Sequence, residues 1–202
     1  MNTARPLSPG EHTAGATFGG AMVDVGPTIP LPNIVVEGKS GLTTFQDRPL
    51  DLSYGVNLTG IAFGLGAVHL GSSWLAAEQA GARPALSVSQ RLFVTTNVFD
   101  TTKSDRGFLF VDELQLTGSH SLGPHLVYYG VAQYLDFGNP TLTLSPFLGT
   151  DLARGRFHAQ LELRWLAATV IPESVAAGRQ TFLGRGALSP TVGFRWDFGA
   201  SR

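Results

Sequence analysis

The chain contains no cysteine. Disulfides, thiolate nucleophiles and cysteine-ligated metals are therefore excluded. Charge is scarce too: Asp, Glu, Lys and Arg supply 14% of the 202 residues, against about 25% in typical soluble domains. The formal net charge of −1 gives no general attraction to nucleic acid, and no nucleic-acid partner is expected. No stretch approaches the ~20 consecutive apolar residues of a membrane-spanning helix. No charged-then-apolar secretory leader opens the chain. Met1 runs directly into Asn2-Thr3-Ala4-Arg5-Pro6, and the expectation is that a native leader has been removed and Met1 added. Hydrophobic content, at 43%, is ordinary. The surface is thus short of charge, which suits a protein with part of that surface in lipid.

What the sequence does have is alternation. Helical periodicity is hard to find, whereas a period of two recurs. Leu50, Leu52, Tyr54, Val56 and Leu58 oppose Asp51, Ser53, Gly55, Asn57 and Thr59. Leu86, Val88, Leu92 and Val94 oppose Ser87, Ser89, Arg91 and Thr95, with Gln90 and Phe93 as exceptions. Leu142, Leu144, Leu148 and Leu152 oppose Thr143, Ser145, Gly149 and Asp151. Phe157, Ala159, Leu161, Leu163, Trp165 and Ala167 oppose His158, Gln160, Glu162 and Arg164. Near the end, Val192, Phe194, Trp196 and Phe198 oppose Thr191, Gly193, Arg195 and Asp197.

These runs, with noisier ones near 12–25, 34–42, 61–74, 108–121 and 125–137, predict about ten strands, with eight or twelve as alternatives. Connections are expected at 26–33, 43–49, 75–83, 99–107, 122–124, 138–140, 153–156 and 169–182, with a very tight turn at 59–62. Gly, Pro, Asn and Asp recur there, as turn geometry favours. The fold class is all-β: a closed antiparallel up-and-down transmembrane β-barrel. An even count puts both termini on one side and lets the last strand pair with the first, leaving no open edge. Residues 1–10 read as a flexible leader and residues 11–199 as a single barrel.

Strand length bears on which face meets lipid. Phe157 and Trp165 stand roughly 20 Å apart along a barrel axis at ~3.3 Å per residue and ~40° tilt, and 188–198 spans roughly 25 Å. The apolar band of a membrane barrel is about 25 Å tall, with aromatic girdles at its rims. The alternative is a soluble, small-ligand-binding sandwich or lipocalin-like barrel with the apolar faces inward.

The run Thr191-Val192-Gly193-Phe194-Arg195-Trp196-Asp197-Phe198 resembles the C-terminal β-signal of bacterial outer-membrane β-barrel proteins. Thr191, Gly193, Trp196 and Phe198 fill its polar, glycine and two terminal aromatic places, although Gly199 and three further residues follow. The resemblance implies a Gram-negative outer membrane, outer-membrane lipid and the barrel assembly machinery as partners, and both termini in the periplasm. It implies no cofactor and no metal, and it names no subfamily.

Charged residues of both signs share the polar faces. Glu37, Lys39, Asp51, Arg91, Glu113, Asp151, His158, Glu162, Arg164, Arg195 and Asp197 are expected to line the lumen. If the hairpin turns at 153–156, Asp151 falls near His158; Asp197 then also falls near His158, Arg195 near Gln160, and Lys39 faces Asp51. Buried charges need partners, so an ion-pair network filling a narrow lumen is the simplest function for them. A charged constriction in a small, porin-like pore is the sharper one. Asp151, His158 and a hydroxyl could form a base–nucleophile pair, but no nucleophile is identified by spacing. A lipid-modifying enzyme is accordingly the alternative rather than the first reading. Gly64-Leu65-Gly66 with Gly71 lacks the spacing and βαβ setting of a dinucleotide loop, and no zinc-protease or EF-hand motif occurs. The expected function is an integral outer-membrane barrel, either a narrow pore or a structural or partner-binding barrel.

Overall fold

Alternation of this kind commits each strand to two unlike faces, and a sheet of such strands must separate them. The computed structural model describes residues 5–24, 28–30, 32–62, 64–97, 107–137, 143–167 and 185–199. It contains strands β1 (Glu11–Gly19), β2 (Met22–Asp24), β3 (Thr28–Pro30), β4 (Ile34–Phe45), β5 (Arg48–Asn57), β6 (Leu65–Ala77), β7 (Ala85–Asn97), β8 (Phe108–Leu122), β9 (His125–Asp136), β10 (Thr143–Arg154), β11 (Phe157–Leu166) and β12 (Ala187–Gly199), with one helical turn, α1 (Leu58–Ala62). Ten strands form a closed antiparallel barrel in the order β1-β12-β11-β10-β9-β8-β7-β6-β5-β4, and β2 pairs with β3 in a separate ribbon. The ring closes between β1 and β12, from Glu11 opposite Gly199 to Gly19 opposite Thr191.

The two ends of the barrel differ. At the end holding the termini three of the four connections are two-residue turns, and the fourth, 78–84, folds back on an Ala80–Arg83 bridge. Gln46 and Asp47 both have positive φ (52° and 60°), the geometry of a type I′ hairpin turn. Gly123 and Gly155 begin two further tight turns at φ 64° and 62°, which glycine adopts without strain. The opposite end carries the β2–β3 ribbon and α1. Of the connections expected from the sequence there, 99–106, 138–140 and 169–182 lie outside the described residues.

Two expectations need correction. The first strand does not run to residue 25: β1 stops at Gly19, and the chain turns off into the ribbon. Gly19 N–H donates to Asn33 O (3.1 Å) and Gly20 N–H to Pro190 O (3.2 Å), so the pairing is handed to loop-end partners at a glycine pair that has no side chain to pack. The connection at 59–62 is a helical turn rather than a tight hairpin. Asn57 Oδ1 accepts from Gly60 N–H (2.9 Å), capping that turn as an N-cap residue does.

Burial is inverted relative to a soluble protein. Among the described residues seventeen buried side chains are polar or charged and only seven are apolar. The interior is thus the polar face. The large apolar side chains stand exposed around the outside: Leu148 is 60% exposed, Leu70 57%, Phe194 51% and Leu161 49%. Aromatic residues gather at both ends of this surface. Phe157 packs with Phe194 and Trp196 at 5.9 and 6.4 Å near the terminus end, and Phe108 with Phe110 at 6.2 Å near the loop end. Trp165 Nε1 donates to Arg185 O (2.8 Å) and Trp74 Nε1 to Phe45 O (3.1 Å), so each indole keeps its polar atom satisfied at a rim.

Glycines make room where a large neighbour crosses. An added Cβ on Gly149 would sit 2.5 Å from the Tyr128 ring and 2.6 Å from the Leu161 carbonyl oxygen. The second contact is backbone and cannot move aside. Gly149→Ala is therefore expected to destabilise the barrel by about 1–3 kcal/mol. Urea unfolding in lipid vesicles, followed by tryptophan fluorescence, checks this; an unchanged midpoint would refute the packing role.

Candidate functional site

The polar faces of the ten barrel strands converge on a lumen whose charged side chains form two networks at different depths. Nearer the loop end, Glu113 on β8 lies between two guanidinium groups, Arg91 Nη2 at 3.0 Å and Arg164 Nη1 at 3.3 Å. Arg164 on β11 also pairs with Glu162 (Nη2–Oε1 3.1 Å), donates to the Tyr134 hydroxyl, and stacks over Phe147 at 4.9 Å. Tyr128 O–H donates to Glu162 Oε2 at 3.3 Å. Glu37 Oε2 lies 3.6 Å from His69 Nε2, and the His69 ring tilts against Phe93 at 5.4 Å. This places Phe93 inside the lumen, which explains its exception to the alternation of β7.

Nearer the termini, His158 stands between two carboxylates. Its Nδ1 is 2.7 Å from Asp151 Oδ1 and its Nε2 is 3.0 Å from Asp197 Oδ2. Arg195 pairs with both acids (Nη1–Asp151 Oδ2 3.3 Å; Nε–Asp197 Oδ1 3.1 Å), and Gln160 Nε2 donates to Asp151 Oδ2 at 3.0 Å. With a carboxylate at each ring nitrogen, His158 has none left to activate a hydroxyl. Lys39 and Asp51 are buried on β4 and β5 at the same end. Lys39 lies opposite Ser53, while Asp51 lies opposite Gly41 just before a bulge at Gly41/Thr43. Arg195 lies opposite His158, one residue pair away from Gln160.

The N-terminal segment completes the terminus end. Leu7 N–H donates to Asp51 Oδ2 (3.0 Å), Ser8 N–H to Glu11 Oε2 (2.8 Å) and Gly10 N–H to Gly41 O (3.3 Å). Pro6 is buried. Residues 6–8 therefore lie across the inner face of β4 and β5, over the glycine at position 41, whose added Cβ would meet the Ser8 carbonyl carbon at 2.5 Å.

Above the first network is a cavity of about 640 Å³. It runs from Gly19, Pro32 and Thr59 at the loop end down to His69, Arg91, Glu113 and Arg164. Small residues line its upper walls: Thr17, Ala67, Thr95, Thr191 and Gly193. Asp151, His158, Lys39 and Asp51 do not border it, but Gln160, which donates to Asp151, does, so the cavity passes the first network and stops at the edge of the second. Reasoning from the sequence passed over Tyr128, Tyr134, His69 and Gln115, whose Oε1 accepts from Arg91 Nη2 at 3.5 Å, as members of these networks. Their in-facing parity on β9, β6 and β8 was the available signal.

Arg164 neutralises Glu113 and Glu162 in a buried setting. Removing one partner of a buried pair leaves an uncompensated charge, typically at a cost of 3–5 kcal/mol. Arg164→Met is expected to lose about that much unfolding free energy, and Glu162→Gln in the same chain to recover part of it. Equilibrium unfolding of the two variants in vesicles tests this; strict additivity would show that the two residues do not interact.

No family model and no curated protein matches the chain. Among solved structures, the translocator domain of the autotransporter NalP from Neisseria meningitidis is similar at a TM-score of 0.42 and 11% identity, over 95% of this chain and 90% of that one. Ail, the attachment invasion locus protein of Yersinia pestis, in complex with the heparin analogue sucrose octasulfate, is similar at a TM-score of 0.31 and 10% identity, over 94% of this chain and 99% of that one. The chain itself has the architecture of an outer-membrane β-barrel: ten strands, closed, antiparallel, polar within and apolar without.

Proposed function

We propose that the protein is an integral barrel of a bacterial outer membrane that does not conduct ions and offers an outward-facing recess for a partner. The inverted burial carries the membrane assignment. Exposed Leu70, Leu148, Leu161 and Phe194 are costly in water and favourable against acyl chains. A soluble barrel would carry them inside.

Three observations support a closed lumen. The first network spans from β8 to β11 through Arg164 and Glu113. The second fills the space around His158. Residues 6–8 cover the terminus end. Above these layers the cavity has charged groups on its floor and small residues on its walls, a shape that receives a group from outside rather than passing it through. Tight turns at the terminus end and longer excursions at the other favour termini in the periplasm and the recess outside, since outer-membrane barrels keep short turns on the periplasmic side.

Planar-bilayer recording is expected to show no discrete conductance from the folded wild-type chain; steady single-channel steps would replace this reading with the narrow pore. Insertion is expected to depend on the last strand. Trp196 and Phe198 project outward, 47% and 50% exposed, available to the barrel assembly machinery. Phe198→Ala is expected to lower the amount of heat-modifiable barrel recovered from outer membranes, while Phe194→Ala on the same face lowers it less. Equal yields would remove Phe198 from the assembly signal.

A further inference from the structure

Four polar side chains occupy outward positions on adjacent strands. Ser72, Gln90, Asp112 and Gln133 share the parity of the exposed Leu70, Leu92, Leu114 and Leu116. They are contiguous: Ser72 lies opposite Gln90, Gln90 opposite Leu114, Asp112 opposite Leu92, and Gln133 opposite Leu114. Each is bracketed along its own strand by apolar outward residues, Val88 and Leu92 for Gln90, Phe110 and Leu114 for Asp112, Val131 and Leu135 for Gln133. The patch is therefore within the apolar band and not at a rim, where lipid headgroups could serve it.

Hydrocarbon offers these groups nothing. Within the patch one bond is made, from Gln90 Nε2 to Asp112 Oδ1 at 3.0 Å. Among the described residues Gln133 has no partner, and the second Asp112 oxygen has none either. Polar groups at membrane depth normally face protein rather than lipid. We propose that this patch is the interface with a second copy of the chain in the membrane. It holds amide donors and a carboxyl acceptor side by side, so it is complementary to itself. Under a two-fold axis the Gln133 amide of each copy faces Asp112 of the other, as an isologous contact requires. The apolar neighbours Phe110, Leu114 and Leu116 then pack around the polar centre. The proposal rests on the membrane reading above.

The absence of cysteine makes a clean test. Leu114→Cys puts a single thiol in the patch, and Ala16→Cys puts one on β1, five strands away in the ring of ten. Oxidation of outer membranes containing the full chain is expected to give a band of twice the monomer mass for L114C and none for A16C. Asp112→Leu with Gln133→Leu, added to L114C, is expected to abolish that band while the heat-modifiable folded barrel persists, because apolar residues suit lipid-facing positions. No dimer from L114C, equal cross-linking at both positions, a band at another protein's mass, or a dimer that survives both leucines overturns the proposal. A wild-type chain that is monodisperse in buffer without detergent overturns the membrane reading instead, so the two failures are distinct.

Discussion

The pairing of β1 with β12 is the contact on which the rest of this structure depends. A sheet of strands leaves two open edges, each a row of unpaired N–H and C=O groups. Water can satisfy them; hydrocarbon cannot. Joining Glu11–Gly19 to Thr191–Gly199 removes both edges at once. It does so only because the number of barrel strands is even, so that the first and last run antiparallel. The same closure divides the side chains into an inside and an outside, and every in-facing position becomes part of one small enclosed volume.

That enclosure explains why the charged residues occur as networks and not as pairs. A lumen bounded by ten strands lies just above the ~8-strand size that side chains alone can fill. Long side chains must therefore cross it, and a crossing guanidinium meets carboxylates from several strands. Arg164 reaches Glu113 past the two intervening strands β9 and β10. Glycines set into neighbouring strands let these groups lie flat: the Arg91 chain passes over Gly71, His69 over Gly55 and Tyr128 over Gly149. On the outer face the same device recurs with Tyr54 over Gly38 and Tyr129 over Gly118, where the ring covers backbone that a side chain would otherwise shield. The Asn- and Gly-rich pattern read in the sequence as turn chemistry thus has a second use inside the strands.

The architecture was legible because alternation and closure leave few choices. β5, β7, β10, β11 and β12 each carry an almost unbroken period of two, and each is a barrel strand. The ribbon β2–β3 was not legible, since strands of three residues have no room to alternate. Nor was α1, whose capping by Asn57 depends on a side-chain bond that a period-two reading treats as one more polar position. Contacts across a hairpin were within reach: Asp151 and His158 meet through the turn at 155–156. Contacts that depend on register over several strands were not. Across the β4–β5 hairpin the two-residue turn at Gln46-Asp47 sets Lys39 opposite Ser53 and Asp51 opposite Gly41. The link from Arg164 to Glu113, 51 residues apart, depends on the curvature of the whole ring, which no local pattern encodes.

The cavity opens from the loop half of the lumen, with small residues beside the large ones that cross it. Thr17, Ala67, Thr95, Thr191 and Gly193 face inward in the loop half; Lys39, Asp51, Asp151, His158 and Arg195 face inward in the terminus half. The barrel wall is the same in both halves, so the space left over is set by what projects from it. In the terminus half Ser73, Ser87, Thr117 and Ser119 are also small and buried, and there the chain itself adds Pro6, Leu7 and Ser8 to the filling. Asp51 links the two devices: it is fully buried, lies on the strand beside Lys39, and accepts the Leu7 amide. A residue that looks from sequence like one of several lumen charges thereby fixes where the N-terminal segment enters. Charge and backbone together occupy the terminus end, and the open space lies toward the other.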